Sequence, residues 1–413
     1  MTHRIVRLAD VTTRIGSGIT PRGGSTVYKT SGRPFVRSQN VGWGELRLTD
    51  LAYIDEATHT TFPATEIRRG DILLNITGAS IGRSAIASDE LDGGNVNQHV
   101  CEIRLKRGVM DPQFVNAVLS SRIGQDQIDA YQAGGNRQGL NFQQVGSIRV
   151  PAIDIHQQEA IGTAARDADG LITTLERLIA KKQAIRQGMM QQLLTGQTRL
   201  PGFSESWRRV RLREVGMTYG GLTGKSKEDF GRGTASYVTF MEVMSGPRLR
   251  GTRLESVVVG AYERQNRVAR GDVLFNGSSE TPEELALAAV VDFAPLAATY
   301  LNSFCFGFRV KRLDLLDPTY LALYFRSASG RAIVSSLAQG ATRYNIAKTK
   351  FLELDPELPP IDEQKAIAAL LGDTEDEIEA LRGRLAKFRA IKLGMLQELL
   401  TGRTRLSPVE FTA

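Results

Sequence analysis

Two stretches of the chain repeat apolar side chains at steps of three and four residues, a spacing typical of the buried face of a long α-helix. Both stretches end in the motif Leu-Leu-Thr-Gly-x-Thr-Arg-Leu. The pattern predicts two helices of about 38 residues, or roughly 55 Å each at 1.5 Å per residue. Helices of that length need a partner along their whole face, so we expect the two to pair as an antiparallel coiled coil. The predicted seam consists of Ile161, Ala165, Ile172, Leu175, Ile179, Ile185, Met189, Leu193, Ile367, Leu371, Ile378, Leu381, Leu385, Phe388, Ile391, Met395 and Leu399.

Capping residues mark the ends of both predicted helices. Asp154, with Gln157 three residues later, forms a capping box, and Pro359-Pro360 precedes the second helix. Gly196 and Gly402 follow the last periodic positions and fit helix stops.

The chain is a duplication. Ile155 onward aligns without a gap to Ile361 onward, and a weaker repeat reaches back to Arg69–Asn75 and Arg270–Asn276. Cys101 and Cys305 fall near the same repeat position, and we expect both to be small core residues. The predicted order is a first globular domain (1–152), a first helix (153–200), a second globular domain (201–357) and a second helix with its tail (358–413).

The segments between the helices have a different pattern. They are rich in Gly, Thr, Ser and Asn, with short β-like runs and dense turn signals. Short helices are predicted to start at Pro112 and Pro318. The predicted fold class is α+β: two α/β domains separated by two long antiparallel coiled-coil helices, with pseudo-twofold internal repetition.

Composition narrows the possible environments. The 413 residues carry a net charge of +7 with a pI near 9.4, which permits a polyanionic partner without requiring one. Two cysteines give no disulfide framework, and we find no signal peptide and no apolar run long enough to span a membrane. We therefore expect a cytoplasmic protein.

Catalytic motifs are weak throughout the sequence. Four histidines and two cysteines show no zinc-ligand spacing, so no metal site is predicted. Gly220–Ser226 resembles a phosphate-binding loop but is one residue short and lacks its first glycine. Glu363-Gln364-Lys365 resembles a nuclease metal triplet, although its place at a helix start favours capping. We predict no catalytic residues and no cofactor bound by this chain.

The loops instead carry many side chains that can hydrogen-bond to base edges or phosphates. Arg and Lys suit guanine, and Asn and Gln suit adenine, although Asn and Ser also cap turns. The candidate DNA-binding residues are Arg37, Gln39, Asn40, Asn75, Thr77, Ser80, Arg83, Asn97, Gln98, Asn136, Arg137, Gln138, Lys225, Ser226, Lys227, Asn276, Ser278, Ser279, Asn302, Arg343, Tyr344 and Asn345.

The order of these motifs resembles the specificity subunit of type I restriction–modification systems. The resemblance covers nearly the whole chain. It includes Gly18-Ile19-Thr20-Pro21, the Arg69–Leu73 run with Thr77–Arg83, Asn97-Gln98-His99, and the duplicated helix tails. In the second half it includes Gly224–Gly231, Ser279–Glu284 and Leu301–Cys305.

The resemblance implies two target-recognition domains that each read one half of a split double-stranded DNA sequence. It also implies that the helices set the spacer and bind two methyltransferase (modification) subunits. S-adenosylmethionine, ATP and Mg²⁺ would belong to those partners and to restriction subunits. From the helix length, the spacing between reader centres is at most on the order of 16 base pairs at 3.4 Å each.

Two alternatives remain open from the sequence. One is a stand-alone nuclease that acts through the Glu363–Lys365 triplet and cuts DNA with Mg²⁺ alone. The other is a coiled-coil scaffold that binds proteins but not bases. The two domains share few loop motifs, so we expect the two half-sites to differ.

Overall fold

A computed structural model describes residues 4–132, 139–296, 298–335 and 344–406. The chain divides into two compact units, Met1–Leu178 with Leu381–Ala413, and Ile179–Ala380. Each unit therefore holds one globular domain, part of the long helix that follows this domain in the chain, and part of the other long helix. No helix in these ranges is long and apolar enough to cross a membrane.

The first unit is built mainly of short strands. Its strands are β1 (Arg4–Arg7), β2 (Thr12–Ser17), β3 (Arg33–Val36), β4 (Ala52–Ile54), β5 (Ile72–Asn75), β6 (Ser84–Ile86), β7 (Asn95–Val96), β8 (Val100–Leu105) and β9 (Arg149–Ala152). Its helices are α1 (Leu8–Val11), α2 (Glu56–His59), α3 (Pro112–Ser120), α4 (Arg122–Gln132) and α5 (Phe142–Ser147), and α6 (Ile155–Leu193) begins here. The main sheet has the antiparallel order β2-β8-β5-β6, and a smaller sheet has the order β4-β3-β7.

The second unit repeats this plan with more strands. Its strands are β10 (Arg208–Arg209), β11 (Gly216–Gly220), β12 (Phe230–Val238), β13 (Arg248–Leu249), β14 (Glu255–Val257), β15 (Val273–Asn276), β16 (Ser278–Ser279), β17 (Ala288–Val291), β18 (Thr299–Leu301), β19 (Cys305–Val310), β20 (Tyr344–Asn345) and β21 (Glu357–Leu358). Its helices are α7 (Leu212–Val215), α8 (Phe240–Ser245), α9 (Pro318–Tyr324), α10 (Ala328–Ser335) and α11 (Lys348–Leu352), and α12 (Ile361–Leu400) begins here. The main sheet has the order β11-β19-β15-β17-β13.

The repeated Arg-Gly-Asp motif is a turn that leads into the central strand of each sheet. Gly70 and Gly271 adopt φ of 85° and 83°, a left-handed conformation that favours glycine. Asp71 then accepts a hydrogen bond from the backbone N–H of Arg68 and pairs with Arg104 on β8. Asp272 pairs in the same way with Arg309 on β19. The motif is therefore structural.

The central strands are buried on both faces. In β5, Ile72 and Leu74 join the core that includes α3, whereas Leu73 points to a separate core. In β15, Val273 and Phe275 join one core and Leu274 another. Buried runs of this kind lack the alternation of a half-exposed strand.

The strand register corrects the predicted equivalence of the two cysteines. Cys101 lies opposite Leu74, whereas Cys305 lies opposite Asn276, whose counterpart Asn75 pairs with Val100. Cys305 thus occupies the position of Val100. A shift of one residue turns a side chain to the other face of a sheet, so the two thiols belong to different cores. Both are buried as expected, and burial raises the pKa of each thiol to about 12.

The two long helices are present and pair antiparallel, which confirms the predicted fold class. α6 has 39 residues and α12 has 40, so each is about 60 Å long. In the first unit Lys392 pairs with Asp169 and Arg389 with Glu176. In the second unit Lys182 Nζ lies 2.7 Å from Glu377 Oε2, and Arg186 Nε lies 2.8 Å from Glu375 Oε2. Rising numbers on one helix thus meet falling numbers on the other.

Most of the predicted seam is buried, with two corrections. Ile185 is 45% exposed and Ile391 is 51% exposed. Ile185 lies six residues after Ile179, and six steps of 100° place a side chain well off the starting face. Ile391 follows Phe388 by three residues, a step that fits the seam, yet the structure places it outside. Arg186 and Lys392 lie at the inward positions instead. The remaining seam residues are buried or half-buried: Ile161, Ala165, Ile172, Leu175, Ile179, Met189, Leu193, Ile367, Leu371, Ile378, Leu381, Leu385, Phe388, Met395 and Leu399.

Buried glutamines attach each long helix to its domain. Gln158 Oε1 accepts from the backbone N–H of Asp111, and Gln158 Nε2 donates to the carbonyl of Ile153. Gln364 makes the equivalent bond with the N–H of Asp317. Asp111 and Asp317 also cap helices that begin at Pro112 and Pro318, as predicted.

The helix ends show part of the predicted capping: of the capping box at α6, the bond accepted by Asp154 is present. Asp154 Oδ1 accepts a hydrogen bond from the backbone N–H of Gln157 at the start of α6. Gly196 and Gly402 lie just past the ends of α6 and α12, each with φ of 73°.

Candidate nucleic-acid interface

The first unit has an open cleft of about 590 Å³, lined mainly by polar residue types, where β5 ends and β8 begins. Several loops meet there because β5 and β8 are hydrogen-bonded neighbours. The lining residues are Ser38, Gln39, Arg47, Thr77, Gly78, Ala79, Ser80, Arg83 and His99. The described lining includes two arginines and no acidic side chain, which suits a polyanionic ligand.

Asn75 is the structural support of this cleft. It is fully buried, and its Nδ2 donates to the carbonyl oxygen of Ser38 at 2.9 Å. The backbone N–H of Asn75 donates to the carbonyl oxygen of Arg83, and the carbonyl oxygen of Asn75 accepts from the backbone N–H of Gly82. The loop from Asn75 to Arg83 therefore folds back on the end of β5. Thr77, Ser80 and Arg83 are thereby held on one rim.

The second unit has a smaller cleft, about 280 Å³, at the corresponding strand ends. Asn276 is fully buried, as Asn75 is, and its Nδ2 donates to backbone carbonyls of Ser278 and Glu284. The lining residues are Gly220, Gly221, Leu222, Thr223, Gly277, Ser278, Ser303, Phe304, Cys305, Phe306, Asn345, Ile346 and Lys348. These described residues also include no acidic side chain.

The sequence-predicted residues divide into three groups. The clefts bring together Gln39, Thr77, Ser80 and Arg83 in the first unit, and Ser278 and Asn345 in the second. Asn136, Arg137, Gln138 and Arg343 lie outside the described residues. The other predicted residues line neither cleft.

Three predicted asparagines are corrected by burial. Asn40, Asn75 and Asn276 are at most 1% exposed. Asn40 Nδ2 donates to the carbonyl of Arg47, and its Oδ1 accepts from the N–H of Arg37. Because these amides are used inside the protein, they shape the loops and present no group to DNA.

Asn97 and Asn302 serve the turn that precedes β8 and β19. Asn97 Oδ1 accepts from the N–H of His99 at 3.0 Å, and Asn302 Oδ1 accepts from the N–H of Phe304 at 2.9 Å. This is a turn-capping role of the kind that Asn commonly plays. The shared bond also makes His99 and Phe304 structural counterparts.

Other predicted side chains are held by neighbours. Lys225 is 5% exposed and ion-paired with Glu263, and Ser226 bonds to Asp229. Only a short 3₁₀ turn follows, so this segment does not form a phosphate-binding loop. Arg37 donates to the carbonyl of Asp50, and Ser279 and Tyr344 pair across β16 and β20. Gln98 accepts from the N–H of Thr20, while Lys227 is exposed.

Sequence reasoning did not select Arg47, His99, Phe304 and Lys348, which line the clefts. Aligning Asn97-Gln98-His99 with Asn302-Ser303-Phe304 would have identified His99 and Phe304 as equivalent positions. Arg47 and Lys348 have no such repeat signal.

The triplet at Glu363 is not arranged as a metal site. Glu363 is fully buried, and both of its oxygens accept hydrogen bonds from Arg199, at 2.6 and 2.5 Å. In the part of the chain that the structure describes, no group of three or more His, Cys, Asp or Glu could hold a metal ion.

Residues 204–387 match a family model described as the type I restriction modification DNA specificity domain. The chain is 22% identical to the putative type I restriction enzyme MjaX specificity subunit of Methanocaldococcus jannaschii, covering 97% of this chain and 93% of that one. It is also 22% identical to the MjaVIII specificity subunit of the same organism, covering 84% and 81%.

Solved structures share the fold. An S subunit of a type I restriction–modification system from M. genitalium matches with a TM-score of 0.60 at 13% identity, covering 97% of this chain and 99% of that one. A chain from a structure of a type I R-M system, which describes complex assembly and conformational transition, matches with a TM-score of 0.55 at 19% identity, covering 98% of each.

Proposed function

Because the chain belongs to the family of type I restriction–modification specificity subunits, which are generally non-catalytic, we propose that each of its two domains reads one half of a split DNA sequence. The observation that carries the proposal is the duplicated cleft. Both units place a cleft at the same strand ends, with no acidic side chain among the described residues that line it, but with different side chains around it. Two equivalent readers in one chain suit two half-sites on one duplex.

The helices would set the spacing between the half-sites. Four residues inserted after Leu178 and four after Ala380 would lengthen both helices by about 6 Å, or about two base pairs. We expect the unread spacer to grow while both half-sites stay the same. An insertion into one helix alone is the control, because it breaks the antiparallel register. An unchanged spacer with both insertions would contradict this role.

The same helices would bind two methyltransferase subunits. α6 carries Leu171, Leu178 and Ile185 at seven-residue spacing, and these side chains are 37–45% exposed. An apolar stripe of that spacing suits a further helix. Replacing Leu171 and Leu178 by Glu is expected to weaken co-purification with the methyltransferase. Replacing exposed Lys181 by Glu is the control.

Catalysis and its cofactors would reside in partners. S-adenosylmethionine would serve adenine methylation in the methyltransferase subunits, and ATP with Mg²⁺ would serve cleavage when restriction subunits join. The engagement of Glu363 by Arg199 supports this division, because a nuclease triplet needs a free carboxylate. We place the complex in the cytoplasm, with its DNA substrate.

The decisive experiment is co-expression of the full chain with its cognate methyltransferase, followed by mapping of methylated adenines. We expect one split motif. Absent or scattered methylation would refute base recognition and favour a protein-only scaffold. Cutting of DNA by the purified chain with Mg²⁺ alone would instead favour a nuclease.

A further inference from the structure

Four groups in the first unit form a hydrogen-bonded chain that ends in the cleft. The backbone N–H of Thr20 donates to Gln98 Oε1 at 3.3 Å. Gln98 Nε2 lies 3.3 Å from His99 Nε2, and His99 Nδ1 lies 2.5 Å from Thr77 Oγ1. Thr77 and His99 both line the cleft.

The first bond fixes the direction of the others. Because the Thr20 N–H requires an acceptor, the amide of Gln98 presents its oxygen there and its NH₂ group to the imidazole. Because the NH₂ group of Gln98 donates to His99 Nε2, this ring nitrogen acts as an acceptor. The neutral imidazole then carries its proton on Nδ1. Nδ1–H then donates to Thr77 Oγ1, and the Thr77 hydroxyl hydrogen is left to point elsewhere.

Thr77 lines the cleft, so its hydroxyl hydrogen can be directed at a ligand that occupies the cleft. The β-bridge between Thr77 and Gly139 pairs their backbones and holds this residue in place. Arg83 lines the same cleft, and its guanidinium has no ion-pair partner among the residues that the structure describes. The rim therefore presents an oriented hydroxyl donor together with a fork of N–H donors.

The second cleft lacks this arrangement. Ser278 corresponds to Thr77, because Asn276 and Asn75 end equivalent strands. Ser303 and Phe304 replace Gln98 and His99, and a phenyl ring cannot accept a proton donor in the ring plane or pass one on. The hydroxyl of Ser278 thus has no imidazole to fix its direction.

We propose that Thr77 and Arg83 form the base-reading pair of the first domain and select guanine through the Gln98–His99 relay. This inference rests on the proposed function. In the major groove guanine presents two acceptors, N7 and O6, whereas adenine presents one acceptor and one donor. A pair of side chains that only donates matches guanine and leaves the adenine amino group facing a donor. Gln98 and His99 act as positioning residues, since they orient Thr77.

The test maps adenine methylation by the full chain with its cognate methyltransferase. Thr77→Val keeps the shape of the side chain and removes the donor. We expect discrimination for guanine at one position of one half-site to fall about tenfold or more. Thr77→Ser should retain it. His99→Phe, the residue that the second domain carries, should weaken discrimination at the same position by a smaller factor.

Thr60→Val is the matched control, because Thr60 is an exposed threonine of the same domain whose hydroxyl bonds to Ala57. It should leave the motif intact. Unchanged discrimination in Thr77→Val overturns the proposal. The proposal is also overturned if Thr77→Val lowers methylation equally at every sequence, which indicates a phosphate contact. It is overturned as well if the variant loses base discrimination only at a position that is not guanine. A wild-type complex with no split motif overturns the proposed function itself.

Discussion

The ion pair between Asp169 and Lys392 gives the sharpest test of how the helices are held together. The two side chains are 18% and 16% exposed and lie at the seam between α6 and α12 within the first unit. Burial raises the pKa of Asp169, and Lys392 opposes that rise. The carboxylate is therefore a desolvated charge that depends on one ammonium group.

Replacing Lys392 by Met keeps most of the side-chain volume and leaves the carboxylate unpaired. Removing one partner of a buried pair costs about 3–5 kcal/mol. At about 2–4 °C per kcal/mol for a unit of this size, the melting temperature of the first unit should fall by about 10 °C. The double variant Asp169→Asn with Lys392→Met removes both charges, and we expect it to lose only about 1–2 kcal/mol.

Calorimetry of the full chain, with urea unfolding as a second measure, checks these values. Lys387→Met is the control, because Lys387 is an exposed lysine on the same helix and should change stability by about 0.5 kcal/mol or less. The loss in Lys392→Met should shrink as pH falls, since protonation neutralises Asp169. Coupling of the pair would be refuted if the stability loss of the double variant equalled the sum of the losses of Asp169→Asn and Lys392→Met alone, and if the loss in Lys392→Met did not depend on pH.

Further predictions concern neighbouring features. Gly70→Ala should cost about 1–2 kcal/mol by thermal unfolding, because Gly70 has a left-handed φ of 85° but an added Cβ would meet open space. Gly44→Ala should cost more, because Gly44 has a similar φ of 76° and an added Cβ would also lie 2.7 Å from Asp169 Oδ2. Equal losses would contradict the steric contribution. Burial, followed by the nearby Asp71 carboxylate, raises the pKa of Glu102 from 4.5 to about 7. The folded state thus binds the carboxyl proton of Glu102 more tightly than the unfolded state does. The protonated carboxyl group therefore contributes roughly 3 kcal/mol of stability below about pH 4.5, and this contribution is lost as the pH rises to about 7. Glu102→Gln should remove that pH dependence in urea titrations, and a parallel pH profile would contradict it. Gln158→Ala should cost about 1–3 kcal/mol by leaving the N–H of Asp111 unpaired, as should Gln364→Ala in the second unit, whereas the more exposed Gln157→Ala should not.

The sequence was sufficient for features that depend on local pattern. Helix periodicity, the prolines at 112 and 318 and the glycines at 196 and 402 identified elements that the structure contains. It was insufficient where long-range pairing decides the outcome. Polar type alone does not distinguish a buried Asn75 that braces a loop from an exposed Gln98, and one residue of strand register separates Cys101 from Cys305.

The two copies within this chain differ in a way that bears on the proposed function. Where a residue braces the fold, the copies agree: Gln158 and Gln364 make the same bond, and Asp71 and Asp272 each bind an arginine. Where a residue lines a cleft, they differ, as His99 and Phe304 do at the same turn. Unequal clefts on equivalent scaffolds favour unequal half-sites, because a symmetric target would be read by equal side chains. If mapping gave a palindromic motif, this argument would fail even though the scaffold would be unchanged.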